Sequence, residues 1–203
     1  MKVLGTFLAV LTLTGTIIAD DAVLETAAKR FAPADVAETP DFQRHVVPLL
    51  GKLGCNGRAC HGSFQGRGDF RLSLFGYDFD ADHGELYGRV DPEVPANSLI
   101  LQKPLMEIPH EGGQRLKAGS WQHQLLLNWV KADSPERPKD AAKLVKVDVT
   151  PAEVLFTADG QNVQLKAVAI WADGTREDIT DLCRFTSNDD QIADITSGGY
   201  IEA

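Results

Sequence analysis

The stretch GKLGCNGRACHGSFQGRG, residues 51–68, holds two of the chain's three cysteines, and the second stands directly before a histidine, Cys60-His61. Two thiols followed at once by an imidazole is the order in which c-type haem is attached. The thiols add to the haem vinyl groups, and the neighbouring ring reaches the iron. The usual spelling is Cys-x-x-Cys-His, whereas here four residues separate the cysteines. Gly57 inside that longer loop supplies backbone freedom for folding over a flat macrocycle. Haem is the leading reading, a Cys55–Cys60 disulfide is the second, and zinc is the third. A structural zinc site needs more ligands than Cys55, Cys60 and His61, and no second Cys-x-x-Cys or His-x-x-x-His pair follows.

The flanks of this stretch carry helical periodicity. Upstream, Phe42, Val46, Leu49, Leu50 and Leu53 recur at intervals of three and four, which predicts an amphipathic helix ending near Gly51 or Gly54 and delivering the cysteines. Pro48 interrupts that pattern and predicts a kink or restart, and His45 is expected on the helix surface. Downstream, Ser120 is an N-cap candidate for a helix reaching about Lys131, with Trp121, Leu125 and Trp129 as its buried stripe. Between the two, Phe64, Phe70, Leu72, Leu74, Phe75, Tyr77 and Phe79 read as a turn and short strand or hairpin, forming either a haem wall or ordinary core.

The second iron ligand has two candidates in PLMEIPHEGG, Met106 and His110. His110 follows Pro109, which restricts the backbone, and precedes Gly112 and Gly113, which let the chain turn away from a bulky face. His83 is expected in an exposed acidic turn. His123 lies off the tryptophan stripe and is expected to face solvent.

Outward from the motif, the beginning MKVLGTFLAVLTLTGTIIADDA has the form of a secretory signal over residues 1–19, with Lys2, an apolar core and Ala19 before two aspartates. Export fits the haem reading and predicts a periplasmic or cell-surface protein. The net charge of −9 makes nucleic acid an unsuitable partner. Residues 133–143, within KADSPERPKDAAK, read as a linker. Beyond them, Val163, Leu165, Ala167, Ala169 and Trp171 alternate between turn signals DGQN and ADGT, the pattern of a β-sandwich.

Residues 38–132, through HVVPLLGKLGCNGRACHGSFQGRGDFRLSLFGYDF, PANSLILQKP, PHEGGQRL and GSWQHQLLLNWV, resemble the cytochrome c-like module near the N-terminus of large exported planctomycete proteins. The resemblance implies one haem c bonded to Cys55 and Cys60, with His61 as proximal ligand. Because PHEGG is the family's recurring element in this loop, it favours His110 over Met106 for the other side. Residues 144–203 resemble the bacterial Ig-like group 2 domain (BIG2), through WADGT, DIT and SND. They stop at GYIEA, where that family continues into a final strand, so an incomplete sandwich with an exposed edge and a buried free Cys183 is expected.

The expected whole is multidomain: a small, mostly α cytochrome c-like domain followed by an incomplete all-β Ig-like sandwich, with further domains of a longer parent polypeptide as possible neighbours. Its expected role is to pass electrons to an unidentified redox protein partner rather than to catalyse a reaction, beside a spacer or adhesion module with possible wall association. A haem enzyme such as a peroxidase would need a distal acid-base residue, and none stands at a recognisable spacing. The alternative is a non-haem cell-surface adhesion or scaffold protein with a Cys55–Cys60 disulfide.

Overall fold

The computed structural model describes residues 22–202, and the signal sequence expected at residues 1–19 lies outside them. After one two-residue strand, short helices come first and the remaining strands follow, in a mixed α/β chain. The segment expected to form the upstream helix opens as a π-helix, Phe42–Val46, capped by Asp41. It tightens into helix α2, Val47–Leu53, with Pro48 in its first turn and Gly54 as C-cap. Proline is tolerated there because a first-turn N–H has no helical acceptor to lose. Pro48 therefore marks the restart that its position suggested.

Helix α5, Trp121–Lys131, starts where expected, with the Ser120 side chain accepting from the His123 N–H. Leu125, Leu126, Trp129 and Val130 are buried on it and meet Phe42, Val46, Leu49 and Leu101 in the main core. Truncating a fully buried side chain of this kind costs about 2–5 kcal/mol.

Two helices stand where the sequence suggested turn, hairpin or loop. After a single bridge between Arg67 and Phe70 and a 3-10 turn, Leu74–Gly76, Asp78 caps helix α3, Phe79–Tyr87. Leu99–Leu105 forms α4. His83 thus sits on α3 instead of an exposed turn, packed edge-on against Phe42 and Trp129, with Nε2 2.8 Å from the Ser134 carbonyl. Of the expected aromatic and leucine wall, Leu72 is buried, while Phe64 is 86% exposed and Phe75 and Tyr77 also face outward.

Residues 133–143 contain no helix or strand, as a linker would, though Ser134 is buried and the Trp129 indole donates to the Pro135 carbonyl. The strands that follow are β2 (Leu144–Thr150), β3 (Asn162–Gln164), β4 (Lys166–Trp171), β5 (Arg176–Asp178), β6 (Asp194–Ile195) and β7 (Tyr200–Glu202). With β1, Val23–Leu24, they make a four-stranded sheet ordered β1-β5-β4-β2 and a three-stranded sheet ordered β3-β7-β6. The alternating run falls on β3 and β4, where Ala167, Ala169 and Trp171 are buried. On β2, by contrast, Val147 and Val149 share one face, Val145 stands in a bulge, and all three are exposed.

The residues before the motif tie the two regions together. Strand β1 pairs in parallel with β5, while Ala27 and Phe31, at helix α1 (Ala27–Arg30) and its C-cap, enter the core beside Leu182 from the strand-rich half. A fragment of residues 144–203 loses β1 and this packing while keeping the exposed β2 valines. We predict that its amides exchange rapidly, whereas the same amides in the full chain are protected. Slow exchange and a cooperative thermal transition in the isolated fragment would contradict this. Among the described residues, no helix is long and apolar enough to cross a membrane.

Candidate functional site

The cysteine loop is built from successive turns that begin at the end of α2. Cys55 N–H donates to the Leu50 carbonyl, Cys60 N–H to Gly57, and His61 N–H closes back onto the Cys55 carbonyl at 2.9 Å. The Leu72 N–H then donates to the His61 carbonyl at 2.8 Å, anchoring the loop to the core. Cys55 and Cys60 are free, half-buried thiols. Burial and then the neighbouring Cys60 push the Cys55 thiol up to about 11, against a smaller opposing pull from Arg115. It is therefore protonated at neutral pH.

The structure brings His61 and His110 together. Their ring centroids are 6.3 Å apart and their planes differ by 15°. His61 Nδ1 lies 3.1 Å from the carbonyls of both Arg67 and Phe70. His110 Nδ1 lies 2.9 Å from the Gly113 carbonyl. A carbonyl can only accept, so both Nδ1 atoms carry hydrogen and both Nε2 atoms keep a lone pair, the tautomer required of a metal-ligating imidazole. Burial lowers the His61 pKa, outweighing the two carbonyl contacts that raise it, and the charges of His110 and Arg89 lower it further.

Two glycines make these arrangements possible. A Cβ at Gly112 would stand 2.8 Å from His110 Cε1, so only glycine lets the ring lie there. A Cβ at Gly66, whose φ is +69°, would stand 2.2 Å from the Phe70 carbonyl oxygen that accepts from His61.

The other candidates lie elsewhere. Met106 is the left-handed C-cap of α4 and is 47% exposed. His123 is half-buried instead of solvent-facing, with Nδ1 accepting from the Gly119 N–H, and burial lowers its pKa. Cys183 is half-buried, less enclosed than expected. A cleft of about 750 Å³ runs along the loop past Arg58, Phe64, Arg67 and Leu74. None of Cys55, Cys60, His61 and His110 lines it.

Sequence reading missed a second polar cluster altogether. His45, expected on the helix surface, is only 3% exposed. Its Nδ1 accepts from the Asp41 N–H at 2.8 Å, which leaves Nε2 to donate to Glu177 Oε1, also at 2.8 Å. Arg30 donates to the same Glu177 oxygen and to Glu38. Edge-to-face packing of Phe31 on His45 seals the group. The only sequence signal was His45 itself, because its partner lies in the distant strand β5.

Whether the main site suits a haem can be judged from its donor set. In a pair of imidazoles facing across one first-row metal ion, each nitrogen lies about 2 Å from the metal and each ring centre about 1 Å further back, giving centroids about 6 Å apart. The His61–His110 centroid separation of 6.3 Å is the spacing such a pair would need, and a donor set of two imidazoles and two free thiols suits a haem c. Among the described residues, no group of three or more His, Cys, Asp or Glu side chains is arranged to hold a bare metal ion. No protein-family model, curated protein or solved structure matches the chain.

Proposed function

We propose that residues 38–132 form an exported c-type cytochrome module that carries one electron, and that residues 144–203 form an Ig-like spacer or adhesion module beside it. The observation that carries this reading is the His61–His110 pair: near-parallel rings 6.3 Å apart, each held by an Nδ1–H bond to a backbone carbonyl, next to two free thiols. When bound, the haem supplies a one-electron iron couple. Cys55 and Cys60 would hold it covalently, and His61 and His110 would ligate it.

The protein's contribution is positional. The carbonyls of Arg67, Phe70 and Gly113 fix both rings and raise the basicity of their free nitrogens. The half-burial of His61 limits water at its ring and keeps the imidazole neutral, and so able to ligate, over a wider pH range. Anchoring through Leu72 keeps the loop on the core when the charge at the site changes. The Ig-like reading draws support from the strands of residues 144–203, which form two antiparallel groups of three, β5-β4-β2 and β3-β7-β6. The acidic balance of the chain suits a protein partner over nucleic acid.

Spectroelectrochemical titration of the exported protein, matured with a haem c assembly system, tests the reading. A reversible one-electron wave at a potential below that of a methionine-histidine cytochrome is expected. A protein that matures with haem but shows no reversible wave would contradict the carrier role.

A further inference from the structure

A cavity of about 520 Å³ lies between α2 and the four-stranded sheet, and none of Cys55, Cys60, His61 and His110 lines it. Its lining is mainly apolar, including Val47, Phe75, Leu144, Trp171 and Leu182, and two cations, Lys52 and Arg184, stand on it. Among the described residues, neither cation has a carboxylate within ion-pair distance, which is unusual in a chain of net charge −9. Arg44, the third cation on the lining, differs: it pairs with Asp173 at 2.5 Å and lies over the Trp171 ring.

Lys52 Nζ donates to the carbonyls of Cys183 (2.5 Å) and Ser197. An ammonium has three hydrogens, so one is left over. Burial lowers the Lys52 pKa, outweighing the opposing pulls of Cys183 and Asp181, and like-charge repulsion from Arg184 adds to the lowering. The Trp171 indole N–H is buried with no acceptor among the described residues. Unpaired cations and an orphaned donor around an apolar cavity call for an acceptor-rich anion on an apolar body.

From this geometry we infer that the cavity between α2 and the sheet binds a small amphiphilic monocarboxylate, its chain among the apolar residues and its carboxylate at Lys52 and Arg184. A phosphate or nucleotide would leave the apolar wall unused, and a neutral hydrocarbon would leave the cations unused. This site is separate from the proposed haem site and does not depend on it.

Titration calorimetry of the full chain with sodium decanoate, decanol and decyltrimethylammonium, all below their aggregation limits, tests the inference. Decanoate is expected to bind at one site per chain, about tenfold or more tighter than either control, the gain typical of a charge-assisted hydrogen bond. Arg184 is exposed and makes no hydrogen bond among the described residues, so Arg184→Gln leaves folding intact while weakening decanoate several-fold and decanol not at all. Lys52→Met is expected to weaken decanoate further. The Arg184→Gln result decides the matter should Lys52→Met fail to fold. Equal affinity for decanoate and decanol, no effect of Arg184→Gln, or no saturable binding would each overturn the assignment. The second of these results would indicate adsorption to the exposed β2 valines.

Discussion

Replacing Glu177 by alanine is expected to lower folding stability by about 3–5 kcal/mol, because it strips a buried cation and a buried imidazole of their shared partner. Glu177 is 1% exposed, and one of its oxygens receives both Arg30 and His45. The loss is larger than an exposed ion pair could cause, since exposed pairs contribute at most about 1 kcal/mol. Burial raises the Glu177 pKa, but the contact with His45 and the Arg30 guanidinium outweigh it, and the net value falls below the ordinary 4.5. A depressed carboxylate pKa contributes stability that is fully present above about 4.5 and is lost as pH falls through the folded value. Glu177→Gln should therefore flatten the acid limb of the stability curve as well as lowering its plateau. Urea denaturation at neutral and acidic pH reads both effects. A cost below about 1 kcal/mol, or an unchanged acid limb, would mean that the cluster does not join the helical and strand-rich parts as described.

The second large effect concerns the ligands. In the haem-loaded protein, His110→Ala is expected to convert the ferric electron paramagnetic resonance signal from low-spin to high-spin almost completely, while Met106→Ala leaves it unchanged. The reason is positional: His110 lies 6.3 Å from His61 with its plane nearly parallel, whereas Met106 caps α4 and faces solvent. Gly112→Ala should produce a partial version of the same change, because its new Cβ would meet the His110 ring at 2.8 Å. If the wild type shows the near-infrared sulfur-to-iron band and only Met106→Ala abolishes it, the histidine assignment fails.

The contrast between these two sites shows what a sequence makes legible. Helix α5 was readable because its cap, Ser120, and its stripe are local signals spaced at helical intervals. The restart at Pro48 was readable for the same reason. Helix α3 was not, because its acidic, weakly amphipathic run resembles a turn once the Asp78 cap is overlooked. Strand β1 has only two residues, and its pairing with β5 depends on chain closure over some 150 positions, which no local pattern encodes. His61 and His110 could be named from thiol spacing and the Pro-His-Glu-Gly-Gly turn. The bonds that set their tautomers could not, since the acceptors are backbone carbonyls and carry no side-chain signature. The His45–Glu177 contact joins residues 132 positions apart and emerges only from the packed fold.

The most direct test of the electron-carrier account is the mass of the chain after export in cells with an active haem c maturation system, recorded under denaturing conditions and paired with a pyridine haemochrome spectrum. The account predicts one haem retained per chain, and its loss when Cys55 and Cys60 are both replaced by alanine. Recovery of apoprotein carrying a Cys55–Cys60 disulfide, with maturation shown to be active on a control cytochrome, would contradict it.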